Sequence, residues 1–306
     1  MSGRVLVTGG DGFVGTHLTA LLTELGQEVV APTTDITDGI AFAAMVADVQ
    51  PTAVYHLAAL ASVGDSWSAV SNTYLVNTIG TVNVLDAVSR LARLPRTLVV
   101  SSAEVYGPAA FAASGGAPIS ESVQAQPASP YGGSKLAAEN AAQQAARGRG
   151  VPVVIARSFN HVGAGQSDGF VVSAIAKQIA EAEVQGLDHI KVGNLAAARD
   201  FLDVADVVRA YCLLVQSDVA SGLYNVASGE SVPVTEVVRL LTASATIKLS
   251  VEIDPQRFRP VDVPVVIGDA TRLRADTGWT PASSWQRGAL ACLDHWRTVV
   301  ASSKGP

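Results

Sequence analysis

The sequence predicts an α/β protein in which a doubly wound parallel sheet is followed by a smaller C-terminal domain. Three observations carry this reading. Short β-rich apolar runs alternate with longer segments of helical spacing through the first half, and that alternation builds a parallel sheet with right-handed crossovers covered on both faces. A glycine-rich turn stands between the first apolar run and the first helical segment. After about residue 160 the alternation loosens into polar loops and shorter elements.

Strands are expected at Val5-Leu6-Val7, Val29-Val30-Ala31, Ala53-Val54-Tyr55-His56-Leu57, Thr97-Leu98-Val99-Val100 and Val153-Val154-Ile155-Ala156. Each run lacks polar alternation, the pattern of a strand buried on both sides. Helical spacing covers 16–25, 40–49, 73–94 and 131–146. Residues 107–130 read as one long turn-rich loop, and such loops inside compact domains tend to carry function. A further helix is expected over 170–183, and 201–225 reads as strand, helix, strand. The expected division is a first domain of 1–165, joined again by 199–227, and a second made of 166–198 and 228–306.

Composition narrows the function. The 306 residues are 48% hydrophobic and 16% charged, below the roughly 25% charged of an average soluble chain. No apolar stretch approaches the ~20 residues that a bilayer crossing needs. Met1-Ser2-Gly3-Arg4 leads into a strand rather than the apolar core of a signal peptide, so a cytoplasmic protein is expected. A formal charge of −6 argues against nucleic-acid binding, which needs many cations on phosphates. Cys212 and Cys292 fit reduced core thiols. The histidines share no metal-ligand spacing, so no metal is expected.

Directly after the first strand comes Thr8-Gly9-Gly10-Asp11-Gly12-Phe13-Val14-Gly15. Glycines here permit positive φ and let the backbone approach a pyrophosphate, whose charge then meets the amides of the helix N-terminus. In that position the turn predicts a Rossmann-type dinucleotide site built on Gly9, Gly12, Phe13, Val14 and Gly15. The adenosine ribose needs an acid near the end of the second strand, or an Arg if a 2′-phosphate is present. Asp35 lies 20 residues past Gly15, the spacing of a ribose ligand, and between Arg4 and Arg90 there is no Lys or Arg. NAD(H) is therefore favoured, with NADP(H) as the alternative.

Tyr131 and Lys135 lie four apart at the start of a helix, so both project from one face. An ammonium beside a phenol favours the phenolate, which would bring proton transfer toward neutral pH. Ser101-Ser102-Ala103-Glu104-Val105-Tyr106-Gly107 follows the fourth strand and opens at the same sheet edge. A hydroxyl there can hold a substrate oxygen. Ser66 and Trp67 follow the exit of the third strand, where they would line a pocket or cover a domain seam.

With these segments in order, the sequence resembles the extended short-chain dehydrogenase/reductase family along nearly its whole length. The markers are the glycine loop, Asp35-Ile36-Thr37-Asp38, His56-Leu57-Ala58-Ala59, Asn77-Thr78-Ile79-Gly80-Thr81, the Ser102 segment, Tyr131-Gly132-Gly133-Ser134-Lys135 and Arg157-Ser158-Phe159-Asn160. The resemblance implies a catalytic triad of Ser102, Tyr131 and Lys135, with Asn77 as organiser. It implies that Ile36, Leu57, Ala58, Ala59 and Ser158 line the cofactor, that the substrate is a nucleotide sugar, and that two copies pair through their long helices as a homodimer.

The second half resembles the GDP-mannose branch through Phe159-Asn160-His161-Val162-Gly163-Ala164-Gly165-Gln166, the 192–201 segment and Arg259-Pro260-Val261-Asp262-Val263-Pro264. Ala164 departs from the Pro usual there. Ser66 and Asn160 are expected at the sugar. Arg199 and Arg259 are candidates for the diphosphate, unless they pair with Asp200 and Asp262. Hydride movement at a sugar carbon begins reductase, dehydratase and epimerase reactions alike. The similar glucose-nucleotide 4,6-dehydratases pair a polar residue with Glu, whereas this chain has Ala103 and Glu104, and a lone Glu104 could still serve as base. The short run into Asp35 looks more like 4-keto-6-deoxy-mannose reductases. The expectation is reduction of the C4 ketone of GDP-4-keto-6-deoxy-mannose to a GDP-6-deoxyhexose, with a 4,6-dehydratase, a 4-epimerase or a noncatalytic dinucleotide sensor as alternatives.

Overall fold

A computed structural model of the chain describes residues 3–216, 218–257 and 263–302. The first half runs β1 (Arg4–Thr8), α1 (Phe13–Glu24), β2 (Glu28–Val30), α2 (Gly39–Val49), β3 (Ala53–His56), α3 (Val70–Tyr74), a π-turn (Leu75–Ile79), α4 (Gly80–Ser89), β4 (Arg96–Ser102), α5 (Gly107–Ala113), α6 (Pro130–Arg149) and β5 (Val153–Ser158). The second half runs β6 (Asn160–Val162), α7 (Val171–Gln185), β7 (His189–Val192), β8 (Ala198–Arg199), β9 (Phe201–Asp203), α8 (Val204–Gln216), β10 (Gly222–Val226), β11 (Val232–Pro233), α9 (Val234–Ala243), β12 (Ser250–Ile253), β13 (Val265–Val266), α10 (Thr271–Thr277) and α11 (Trp285–Ser302).

Six strands form one parallel sheet in the order β10-β5-β4-β3-β1-β2. Helix α1 packs with α8, while α2, α4 and α6 lie side by side. Strand β5 is buried at all six positions, as its uninterrupted apolar pattern requires. The chain reverses its winding between β1 and β3, and ligands of such sheets sit beyond the carboxyl ends of the strands. Thr8, His56, Ser102 and Ser158 are those ends.

Two sequence expectations need correction. The helix expected over 73–94 is α3, a π-turn and α4, ending at Ser89. The expected loop 107–130 opens with α5, where Pro108 occupies the first turn, a position at which the missing N–H costs nothing.

Helix α7 packs on α11 and α9 over a second apolar core that includes Ile175, Ile179, Val237, Leu241 and Leu293. Among the described residues no helix is long and apolar enough to cross a membrane.

Candidate active site

The glycine turn has the shape that a pyrophosphate requires. Gly9 has φ +70°, and a Cβ there would stand 2.8 Å from Ala58 N; a Cβ on Gly15 would run into the Gly9 carbonyl. Gly12 begins α1 with no side chain capping the first turn, leaving that turn's amides for an anion. These residues fit a dinucleotide. Phe13 lies parallel to the His161 ring at 5.9 Å, and His17 Nε2 is 2.9 Å from Ala164 O. The loop carrying Ala164 is thus tied to α1 by hydrogen bonding where a Pro is absent.

Asp35 is exposed and accepts the Thr37 N–H at 2.8 Å; that bond holds its carboxyl below the usual range. Ile36 is buried against Gly80, where a Cβ would come within 2.5 Å of Ile36 Cδ1. Leu57, Ala58 and Ala59 leave β3 half-buried, with Ala58 N donating to Thr8 Oγ1 at 3.3 Å.

Asn77 sits in the π-turn, the kind of one-turn bulge that marks functional sites. Its Oδ1 accepts from Leu60 N at 2.8 Å, while Nδ2 donates to Leu60 O and to Ser134 Oγ, both at 3.0 Å. Ser134 Oγ donates in turn to Tyr131 O at 2.8 Å. Asn77 therefore fastens the strand exit to the helix that carries Tyr131 and Lys135.

That helix, α6, starts where Ser129 accepts the Gly132 N–H at 3.0 Å and Pro130 enters the first turn; it stops at Gly150 in the left-handed region. Tyr131 and Lys135 are both buried. Burial pushes the Tyr131 phenol up to about 12; the Ser102 hydroxyl pulls the other way, and the Glu104 charge pushes it further up. Lys135 Nζ donates to Val100 O at 2.8 Å, and burial brings the ammonium down to about 8 while Glu139 opposes. This corrects the expectation that Lys135 lowers the Tyr131 pKa. The ammonium is turned to a strand carbonyl, and desolvation outweighs the favourable contacts of the phenol.

Ser102 is half-buried at the end of β4 and accepts Glu104 N–H at 3.2 Å. Glu104 is exposed beside it. Across the β4–β5 register Ser102 faces Ser158, whose hydroxyl lies 2.5 Å from Tyr211 OH. Ser66 is a second correction. It is buried, donates to Val63 O at 2.7 Å and accepts the Tyr131 N–H at 3.3 Å, so it braces Tyr131 from inside rather than lining a sugar pocket. Trp67, next to it, is exposed.

Asn160 is exposed at the start of β6. Arg199 Nη1 donates to Ala198 O at 2.9 Å and to Val263 O at 2.7 Å. Asp200 holds Ser228, Gly229 and Gly268. Arg259, with Pro260, Val261 and Asp262, lies outside the described residues. A groove of about 690 Å³ bordered by Arg147, Val153, Leu223 and Arg272 lies at the amino ends of β5 and β10, away from these groups.

Sequence reasoning missed three groups. His56 is buried between Thr8 Oγ1 and Thr81 Oγ1, Tyr211 sits beneath Ser158, and Glu139 binds Arg157. Glu139 had a readable signal, since it follows Tyr131 and Lys135 at four-residue spacing on one helix face, and His56 opens the His56-Leu57-Ala58-Ala59 marker; Tyr211 had none.

A family profile described as GDP-mannose 4,6 dehydratase matches residues 31–290. The GDP-6-deoxy-D-mannose reductase of Pseudomonas aeruginosa is 37% identical over 306 residues, spanning 98% of this chain and 99% of its own. The solved structure of RMD from Pseudomonas aeruginosa complexed with NADPH superposes with a TM-score of 0.87 at 35% identity, covering 97% of this chain and 99% of that one. The UDP-glucose 4-epimerase of Thermus thermophilus in complex with NAD does so with 0.84 at 28% identity, covering 96% and 99%.

Proposed function

The chain belongs to the GDP-mannose 4,6-dehydratase family of extended short-chain dehydrogenases/reductases, and from that premise we propose that it reduces the C4 ketone of GDP-4-keto-6-deoxy-mannose to a GDP-6-deoxyhexose. The observation that carries this reading is the meeting of the Tyr131 and Ser102 hydroxyls at the carboxyl edge of the sheet, beside the glycine cradle that ends β1. The nucleotide-sugar reductase named above supports it over nearly the full length of both chains.

When bound, the dihydronicotinamide supplies hydride to the ketone carbon. Ser102 Oγ holds the carbonyl oxygen and Tyr131 OH gives it a proton, so the ketone becomes an alcohol. Lys135, one helical turn past Tyr131, would hold the cofactor ribose with the donors that Val100 O leaves available. Gly9, Gly12, Phe13, Val14 and Gly15 would hold the pyrophosphate, Asp35 and Ile36 the adenosine end, and Leu57, Ala58, Ala59, Asn77 and Ser158 the rest of the dinucleotide. NADH is the reductant in this reading, because the chain from Arg4 to Arg90 offers no cation for a 2′-phosphate and the Asp35 carboxylate would repel one. Arg199 and Asn160 face the nucleotide sugar, held largely by 166–198 and 228–306.

Two copies pair through the helical segment 70–89 and α6; Val70, Tyr74, Leu75, Ile79 and Val82 of the first, from α3 through the π-turn into α4, are exposed apolar side chains. Free, buried Cys212 and Cys292 suit a reducing cytoplasm.

A second reading, 4,6-dehydration, is favoured by Glu104, whose exposed carboxylate bears on Tyr131. Authentic ketosugar separates the two. One NADH should be consumed per product formed, with NADPH run in parallel; ketosugar left unchanged alongside NADH would sink the reductase assignment, and water lost from GDP-mannose with retained cofactor would establish the second reading.

A further inference from the structure

One interior polar cluster has no part in the proposed reaction. Glu139 is fully buried on α6, one turn past Lys135. Its carboxylate accepts from Ser101 Oγ at 2.6 Å, from Arg157 Nε at 2.9 Å and from Arg157 Nη2 at 2.7 Å. The guanidinium lies 4.7 Å from the centroid of the Tyr106 ring, and Tyr106 OH donates to Asn225 Oδ1 at 2.7 Å. Ser101 precedes Ser102 and Arg157 precedes Ser158, and both pairs are in register across β4 and β5. Three consecutive residues of β4 thus each engage one of three α6 side chains spaced a turn apart. Ser102 acts on the Tyr131 phenol, Val100 O receives Lys135 Nζ, and Ser101 Oγ donates to Glu139.

The charge count has a consequence. Lys135 and Arg157 are both buried cations. The buried carboxylates among the described residues are Glu139, Asp200, Asp203 and Asp206, and of these only Glu139 acts on Lys135. Of the titratable groups on the neighbouring elements, Glu139 on α6 acts on the ammonium and His56 on β3 feels its charge. His56 is neutral near neutral pH, and the Arg157 guanidinium is taken up by both oxygens of Glu139. An ammonium without hydration needs an anion to stay protonated.

We propose that Glu139 is a positioning residue: through Ser101 and Arg157 it sets the register of α6 on β4 and β5, and its charge holds the Lys135 ammonium in a site closed to water. This rests on the reading that Tyr131 and Lys135 serve the reduction.

The test is the pH dependence of dinucleotide affinity, read by fluorescence titration, together with that of kcat and KM, in Glu139→Gln, Glu139→Asp and Arg157→Met. Glu139→Gln should move the alkaline limb about one pH unit to the acid side and lower kcat about tenfold in its region, with sugar KM within about twofold. Glu139→Asp, which keeps the charge, should restore the limb. Arg157→Met should move it the opposite way, because the Glu139 carboxylate then loses the guanidinium that shares its charge; it carries the test alone if Glu139→Gln does not fold. Limbs that coincide with the parent's while thermal stability falls would overturn the proposal. Tyr131→Phe and Lys135→Met serve as controls: full turnover in them overturns the catalytic reading itself, whereas its loss with unmoved limbs overturns only the role of Glu139.

Discussion

Substitution of His56 should alter how stability depends on pH. The imidazole lies 2.7 Å from Thr8 Oγ1 through Nδ1 and 2.9 Å from Thr81 Oγ1 through Nε2, and it is 3% exposed. Burial, with the Lys135 charge adding to it, brings its pKa from 6.5 down to about 3. The unfolded chain takes up a proton below about 6.5, whereas the folded chain refuses it until about 3. Stability from this residue is complete above the first value and is lost as pH falls toward the second. At 1.36 kcal/mol per tenfold change in proton activity, the loss from about pH 7 to about pH 5 comes to roughly 2 kcal/mol. Against a total of about 5–15 kcal/mol that is readily measured. His56→Gln removes the titrating group and one hydrogen bond, so it should be less stable by about 1–3 kcal/mol at neutral pH. Urea unfolding of both proteins across this range, followed by tryptophan fluorescence, isolates the residue, since the other titrating groups are shared. The stability gap should narrow by roughly 2 kcal/mol on acidification. A gap constant to within about 0.5 kcal/mol would refute the argument.

Two further substitutions probe the scaffold of the site. Gly15→Ala drives a methyl into the Gly9 carbonyl, so dinucleotide affinity should fall at least about tenfold with the circular dichroism spectrum unchanged; calorimetric titration reads it. Ser66→Ala removes the acceptor for Tyr131 N–H. Turnover should drop several-fold, by about 1 kcal/mol at the barrier, while dinucleotide affinity measured the same way stays within about twofold.

The sheet was readable because its strands are buried on both faces, so the runs at Val5, Val54, Leu98 and Val153 carry no competing pattern. The glycine turn was readable because its function is in the backbone itself. The π-turn was not: one inserted residue shifts a helical pattern by roughly 100°, and an apolar segment such as 73–94 absorbs that without a break. Helix α5 had a signal, Pro108 followed by Ala109, Ala110, Phe111, Ala112 and Ala113, but Gly107-Pro108 also reads as a turn. For Ser66, position after β3 indicated nearness to the site and not direction, because its burial comes from α6 packing over it. Spacing likewise brought Tyr131 and Lys135 together, but the Val100 carbonyl that takes the ammonium belongs to a strand 35 residues away.

The state of the phenol bears on the direction of the chemistry. With its pKa pushed to about 12, Tyr131 is ionised near neutral pH in only about one molecule in 10⁵. Reduction of a ketone begins with that group protonated, so the resting site already holds the proton it must give. An oxidation starting from the same residue needs the phenolate, which the raised pKa disfavours. Two features of this chain keep it there: the burial of the phenol and the Glu104 carboxylate. Glu104→Gln should therefore lower the phenol pKa while leaving Ser102 in place, and ultraviolet difference titration of the phenolate reads the change. If it leaves the phenol unmoved, the carboxylate does not act on Tyr131, and burial alone must account for the direction that the site favours.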